Sequence, residues 1–75
     1  METISPTLTP KERQVLIYIA GGNSNKQIAR DLQISEQTVK NHVSNILRKL
    51  NANGRAHAAV LAIGFGWISA KNPPI

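Results

Sequence analysis

The chain has 75 residues, with nine Lys and Arg against four Asp and Glu, a net charge of +5 and a pI near 10.3. A chain this short folds as one domain with a modest core, since it buries only about 60% of its unfolded surface. The lack of cysteine and the presence of only two histidines exclude a disulfide framework and a thiolate metal site, no cofactor is expected, and the cationic balance favours a polyanionic partner, either nucleic acid or an acidic membrane surface.

The opening METISPTLTP lacks the basic start and apolar run of a secretory signal, and residues 1–7 read as a flexible N-terminal segment. Thr9-Pro10-Lys11-Glu12 then combines a capping hydroxyl, a proline where helices accept one and a Glu three residues after the cap. A first helix is expected over about 9–20, with Val15, Leu16 and Ile19 on one face and Gly21-Gly22 to end it. Ser24-Asn25-Lys26-Gln27 repeats the capping box and starts a two-turn helix over about 24–32, with Ile28, Ala29 and Leu32 as its buried stripe. After a break near Gln33, Ser35 caps a third helix over about 35–50, and Asn51-Ala52-Asn53-Gly54 supplies turn-forming residues. A fourth helix over about 55–65 follows. The longest apolar stretch, Ala56 to Ala70, holds a His and two Gly and falls short of the roughly 18 to 20 apolar residues of a membrane span, so the cytoplasm is the default location. The tail over 69–75, with Pro73 and Pro74, reads as flexible.

The expected fold is thus all-α, a four-helix, bundle-like domain over 8–68 containing a helix-turn-helix. Two helices joined by three or four residues expose the second, with Ala29 allowing close approach and Val39 filling the angle. On a wheel of about 100° per residue with Val39 at zero, the apolar side of the third helix centres near about 20° and Gln37, Asn41, Ser44 and Arg48 lie roughly opposite. Lys40 and Thr38 flank that polar side. Gln37 and Asn41 can pair two ways with adenine, Lys40 can reach guanine acceptors and Ser44 suits either. Lys26, Thr38, Arg48 and Lys49, with the free amides at the starts of the second and third helices, are placed to hold phosphates. Taken alone, the polar face also fits a merely solvated surface; the capped neighbour helix and the positive charge favour a reading face.

Three further residues have bland readings that outweigh the sharper ones. His42, on the buried edge, reads as a hydrogen-bonded packing histidine before a ligand; Glu12 reads as a cap or intradomain salt-bridge residue before an acid catalyst, and Trp67 as a core plug before a base-stacking platform. Ile17 opposes the core face of the first helix, either simply exposed or against a partner.

Several blocks resemble, in order and spacing, the LuxR/FixJ-type (NarL-like) helix-turn-helix DNA-binding domains of bacterial transcription regulators. They are LTPKERQVL at 8–16, Gly22, SNKQIA at 24–29, the L-x-IS-x-x-TVKNH stretch from Leu32 to His42, NILRKL at 45–50, and Arg55, Ala58, Ala62 and the Gly66-Trp67-Ile68 ending. The resemblance implies sequence-specific binding of double-stranded promoter DNA for transcription regulation, as a homodimer, with the third helix in the major groove and the fourth at the dimer interface. It implies base contacts from Lys40, Asn41 and Ser44, and backbone contacts from Asn25, Lys26 and Thr38. Family members often carry a phosphoacceptor or ligand-sensing domain before this one, which makes a response regulator output domain one expected context. The chain departs from the pattern at Gly54, where a polar cap is usual, and at His57, where Glu or Gln is usual.

The fourth helix makes its own argument for a partner. Between Arg55 and Lys71 no side chain carries a permanent charge, so the helix is apolar on nearly all sides and one small domain covers only one of them. Ala58, Ala59 and Ala62 suit close packing on the domain, while Val60, Leu61 and Ile63 point elsewhere and are assigned to a dimer interface. The alternative function is a module of the kind found in region four of bacterial sigma factors, contacting RNA polymerase or another regulator. An enzyme is not expected, because no nucleophile lies beside a base, no carboxylate pair is evident and no phosphate-cradling glycine loop follows a strand.

Overall fold

The computed structural model describes residues 8–64 and 66, and within them the chain forms four helices and no strand: α1 (Pro10–Ala20), α2 (Asn25–Leu32), α3 (Glu36–Leu50) and α4 (Arg55–Gly64). The expected starts hold, with Thr9, Ser24 and Ser35 standing as N-caps one residue before each helix. The Thr9 hydroxyl accepts from the Glu12 N–H at 3.1 Å while the Glu12 carboxylate accepts from the Thr9 N–H at 3.0 Å. Ser24 and Gln27 exchange the same pair of bonds at 3.1 and 2.8 Å. Each box satisfies amide donors that the first turn of a helix leaves without partners.

The helix ends use left-handed backbone, for which the residues differ in aptitude. Gly22 takes φ 85 after α1, so of the Gly21-Gly22 pair it is the second that needs glycine. Asn51 closes α3 at φ 56, a conformation asparagine tolerates. Gln33 closes α2 at φ 59 without either aptitude. Its strain is offset by the tight turn it makes, in which the Ile34 N–H reaches back to the Ala29 carbonyl at 3.0 Å and the chain enters α3 only three residues after α2 ends.

The core is built from one apolar stripe per helix. Val15, Leu16 and Ile19 of α1, Ile28 and Ala29 of α2, Val39 and Ile46 of α3, and Ala58 and Ala62 of α4 form a single buried cluster. Leu32, Ile34, Val43, Leu47, Leu50 and Ala59 pack around it, half-buried. α1 lies against α3 and α4, α2 against α3, and α3 against α4, so the reading helix expected from the sequence is backed by all three others. The segments 1–7 and 69–75, expected to be flexible, and Trp67, expected to plug the core, lie outside the described residues.

Candidate nucleic-acid interface

α3 divides into two faces, as its sequence period requires. Val39 and Ile46 are fully buried, while the base-reading candidates Gln37, Lys40, Asn41 and Ser44 are all exposed, so they share one solvent face. Two of them are linked: the Gln37 Nε2 donates to the Asn41 Oδ1 at 3.1 Å, one helical turn on. At the start of α3 the Ser35 Oγ accepts from the Thr38 N–H at 2.9 Å and donates to the Thr38 Oγ1 at 2.8 Å. Thr38 is half-buried and part of the cap, which fixes its hydroxyl at the edge of the polar face.

The phosphate candidates do not form one set. Lys26 and Arg48 are exposed, Lys26 in the first turn of α2 and Arg48 in the last turn of α3. Asn25, first residue of α2, is half-buried and its Oδ1 accepts from Arg55 Nη1 at 2.6 Å. Lys49 turns away from the polar face, its Nζ lying 2.7 Å from the Glu12 Oε1 with 29% of its side chain accessible. Charge alone suggested a phosphate role for Lys49; the structure places its ammonium against a buried carboxylate of another helix.

Glu12, at 4% exposed, is the buried charged residue among the described residues. Burial pushes its carboxyl up, but the hydrogen bonds from Lys49 and from the Thr9 N–H, with the Coulombic effect of Lys49 and His42, outweigh that and hold it below the ordinary carboxylate range. Glu12 therefore fills both roles expected of it, capping α1 and tying it to the C-terminal turn of α3. His42 is half-buried as expected, but its ring makes no hydrogen bond among the described residues.

α4 presents the expected division. Ala58 and Ala62 are fully buried and Ala59 is half-buried, whereas Val60 is 66% exposed and Leu61 and Ile63 are half-buried outside the core cluster. Ile17 of α1 is the other large exposed apolar side chain among the described residues, at 48%. The start of α4 has no polar side chain at the cap position, Gly54, and no capping box. The His57 Nδ1 accepts from the Asn53 N–H at 2.9 Å, so the imidazole reaches back past the cap to the amide one residue before it, four residues away, and ties the turn ahead of α4 to its first turn.

Arg55 has a role that its sequence position did not disclose. Its Nη1 donates to Asn25 and its Nη2 donates to the Asn23 carbonyl at 2.7 Å, across about thirty residues of chain. One signal was present: a cation at the first position of a helix faces the positive end of the helix dipole, which disfavours it by about 0.3–1 kcal/mol unless something else holds it there.

Comparisons with known proteins bear on the family and the fold. Residues 6–62 match the profile of a family described as bacterial regulatory proteins, luxR family. The chain is 50% identical over 64 residues to the transcriptional regulatory protein DegU of Brevibacillus brevis, covering 85% of this chain and 27% of that protein. It is 57% identical over 54 residues to the nitrate/nitrite response regulator protein NarP of Escherichia coli (strain K12), covering 72% of this chain and 25% of that one. The spore germination protein GerE of Bacillus subtilis (strain 168) is 43% identical over 61 residues, covering 81% of this chain and 82% of GerE. The chain thus spans about a quarter of the length of DegU and NarP and most of GerE. A solved structure of the transcription factor GerE superposes with a TM-score of 0.78 at 38% identity, covering 85% of this chain and 96% of that chain.

Proposed function

The chain belongs to the luxR family of bacterial regulatory proteins and is a DNA-binding helix-turn-helix domain of transcription regulation, and from that premise we propose that α3 enters the major groove of promoter DNA, with two copies bound together through α4. The observation that carries this reading is the outward face of α3. Gln37, Lys40, Asn41 and Ser44 stand exposed on a helix whose opposite side is fixed in the core by Val39 and Ile46. A helix held rigidly from behind presents amide, ammonium and hydroxyl groups in a fixed array, which is what base-edge recognition requires.

Lys26, Thr38 and Arg48, with the amide donors of Asn25, hold phosphates at the rim; Lys49 acts through Glu12 and supports α3 from inside. Lys26 and the first amides of α2 meet the duplex backbone at a helix start, where the dipole also favours an anion. Val60, Leu61 and Ile63 form the surface on which a second copy packs, and two-fold pairing sets two reading helices about one DNA turn apart.

A salt titration of duplex binding tests this reading. Affinity falls linearly on logarithmic axes, with a slope of about 0.9 for each phosphate neutralised, and Lys26→Ala weakens all duplexes alike and reduces the slope by about one. Duplex affinity that is absent or insensitive to salt contradicts it and points instead to a module that binds only protein.

A further inference from the structure

We infer that Arg55 is a positioning residue for DNA binding: by taking the side-chain oxygen of Asn25 it leaves that side chain's amide NH2 to donate to a phosphate, and it thereby links α4 to the grip of α2 on the duplex. The inference rests on the proposed DNA-binding reading and extends it to a residue that touches no base.

An asparagine amide has one acceptor and one donor group, and a phosphate accepts only. Left alone, either end of Asn25 faces outward. The Arg55 guanidinium, with donors and no acceptor, removes that ambiguity by bonding the Oδ1 at 2.6 Å. Its second branch holds the Asn23 carbonyl at 2.7 Å. Asn23 is in turn tied to the end of α1, its N–H and its Nδ2 both donating to the Tyr18 carbonyl at 3.1 and 3.0 Å. The segment leading into α2 is thus clamped from α1 on one side and α4 on the other. Arg55 is half-buried and sits at the end of α4 that its own helix dipole disfavours, so this clamp, rather than any benefit to α4, accounts for a cation there. A lysine cannot make the forked pair of bonds, although it keeps the charge.

The test measures affinity of the whole chain for several unrelated duplexes over a range of salt, for Arg55→Lys, Asn25→Ala, the double variant and Asn25→Asp, with a thermal melt of each. Arg55→Lys is expected to lower affinity for every duplex about tenfold with the salt slope unchanged, since the group withdrawn from the phosphate is a neutral amide. Asn25→Ala produces a similar loss, and the double variant loses no more than either alone, as residues acting through one phosphate bond do. Asn25→Asp keeps an acceptor for Arg55 and so keeps the fold, yet loses more affinity than Asn25→Ala, because the amide NH2 is gone and a negative charge takes its place beside the phosphate. Arg55→Lys binding like the parent, losses that multiply in the double variant, or Asn25→Asp binding unchanged would each overturn the inference. A parent chain without salt-dependent duplex affinity instead removes the DNA-binding reading itself, and the inference with it.

Discussion

α3 and α4 are backed by the same core yet face outward with opposite chemistry, and the contrast separates what a helix says about its partner. The outward side of α3 is polar, and its exposed amide, ammonium and hydroxyl groups are of the kind that the proposed major-groove reading uses. The outward side of α4, with Val60 at 66% exposure and Leu61 and Ile63 beside the buried alanines, says only that an apolar surface needs cover. The first face bears on the proposed specificity, and the second raises the question of stoichiometry.

Substitutions in the shared core break both helices at once and give the largest effect. Ile46→Ala removes a fully buried side chain from the cluster that supports α3. It is expected to cost about 2–5 kcal/mol, a large part of the roughly 5–15 kcal/mol that stabilises a typical domain. Urea unfolding measures the loss, and a midpoint shift equivalent to less than about 1 kcal/mol contradicts the placement of Ile46 at the centre of the core.

The tie between α1 and the end of α3 comes next. Glu12→Gln loses a charge-assisted bond to Lys49 and is expected to cost about 1.5–3 kcal/mol. Because the Glu12 carboxyl is held below its ordinary value in the folded chain, its contribution is complete above the ordinary Glu range and is lost as pH falls below that range through the depressed folded value. The acid limb of the stability curve should therefore be shallower in Glu12→Gln than in the parent. Parallel acid limbs in urea unfolding at a series of pH values would exclude that role for Glu12.

Smaller effects sharpen the contrast without unfolding the chain. Val60→Asp is expected to leave folding stability within about 0.5 kcal/mol, since the side chain is mostly in water. On a duplex with two half-sites it should abolish cooperative binding while one half-site is still bound; cooperativity that survives moves the pairing surface elsewhere, with Ile17 the next apolar candidate. Smallest is Gly54→Ser, where an added Cβ meets nothing within 4 Å. A polar cap there should raise stability by a few tenths of a kcal/mol, read as a higher urea midpoint, and a loss instead shows that the His57 bond to Asn53 depends on glycine at that position.

The sequence disclosed features whose cause is local. Thr9, Ser24 and Ser35 cap through bonds to the residue three positions on, so their pattern is visible in four consecutive letters. The apolar stripes of the first three helices follow a period of about 3.6 residues, which separated the exposed Gln37, Lys40, Asn41 and Ser44 from the buried Val39 and Ile46, while the fourth helix, apolar on nearly all sides, was bounded by the turn-forming residues before it. What stayed hidden depends on distant pairing. Lys49 and Arg55 carry charge that looks alike on a page, yet one meets Glu12 of α1 and the other meets the loop before α2, and nothing within a few residues of either foretells its partner. The left-handed Gln33 is a third case, since the closeness of α2 to α3 imposes a conformation that glutamine does not choose.

The central claim is that the exposed face of α3 reads base edges. Selection of preferred duplexes from a random pool, run in parallel on the parent chain and on Asn41→Ala, tests it directly. The parent should enrich a defined half-site, and Asn41→Ala should enrich the same site with one position degenerate, a loss of about 1–3 kcal/mol of discrimination there. An identical motif from both chains, or no enriched motif from the parent, contradicts the assignment of this face.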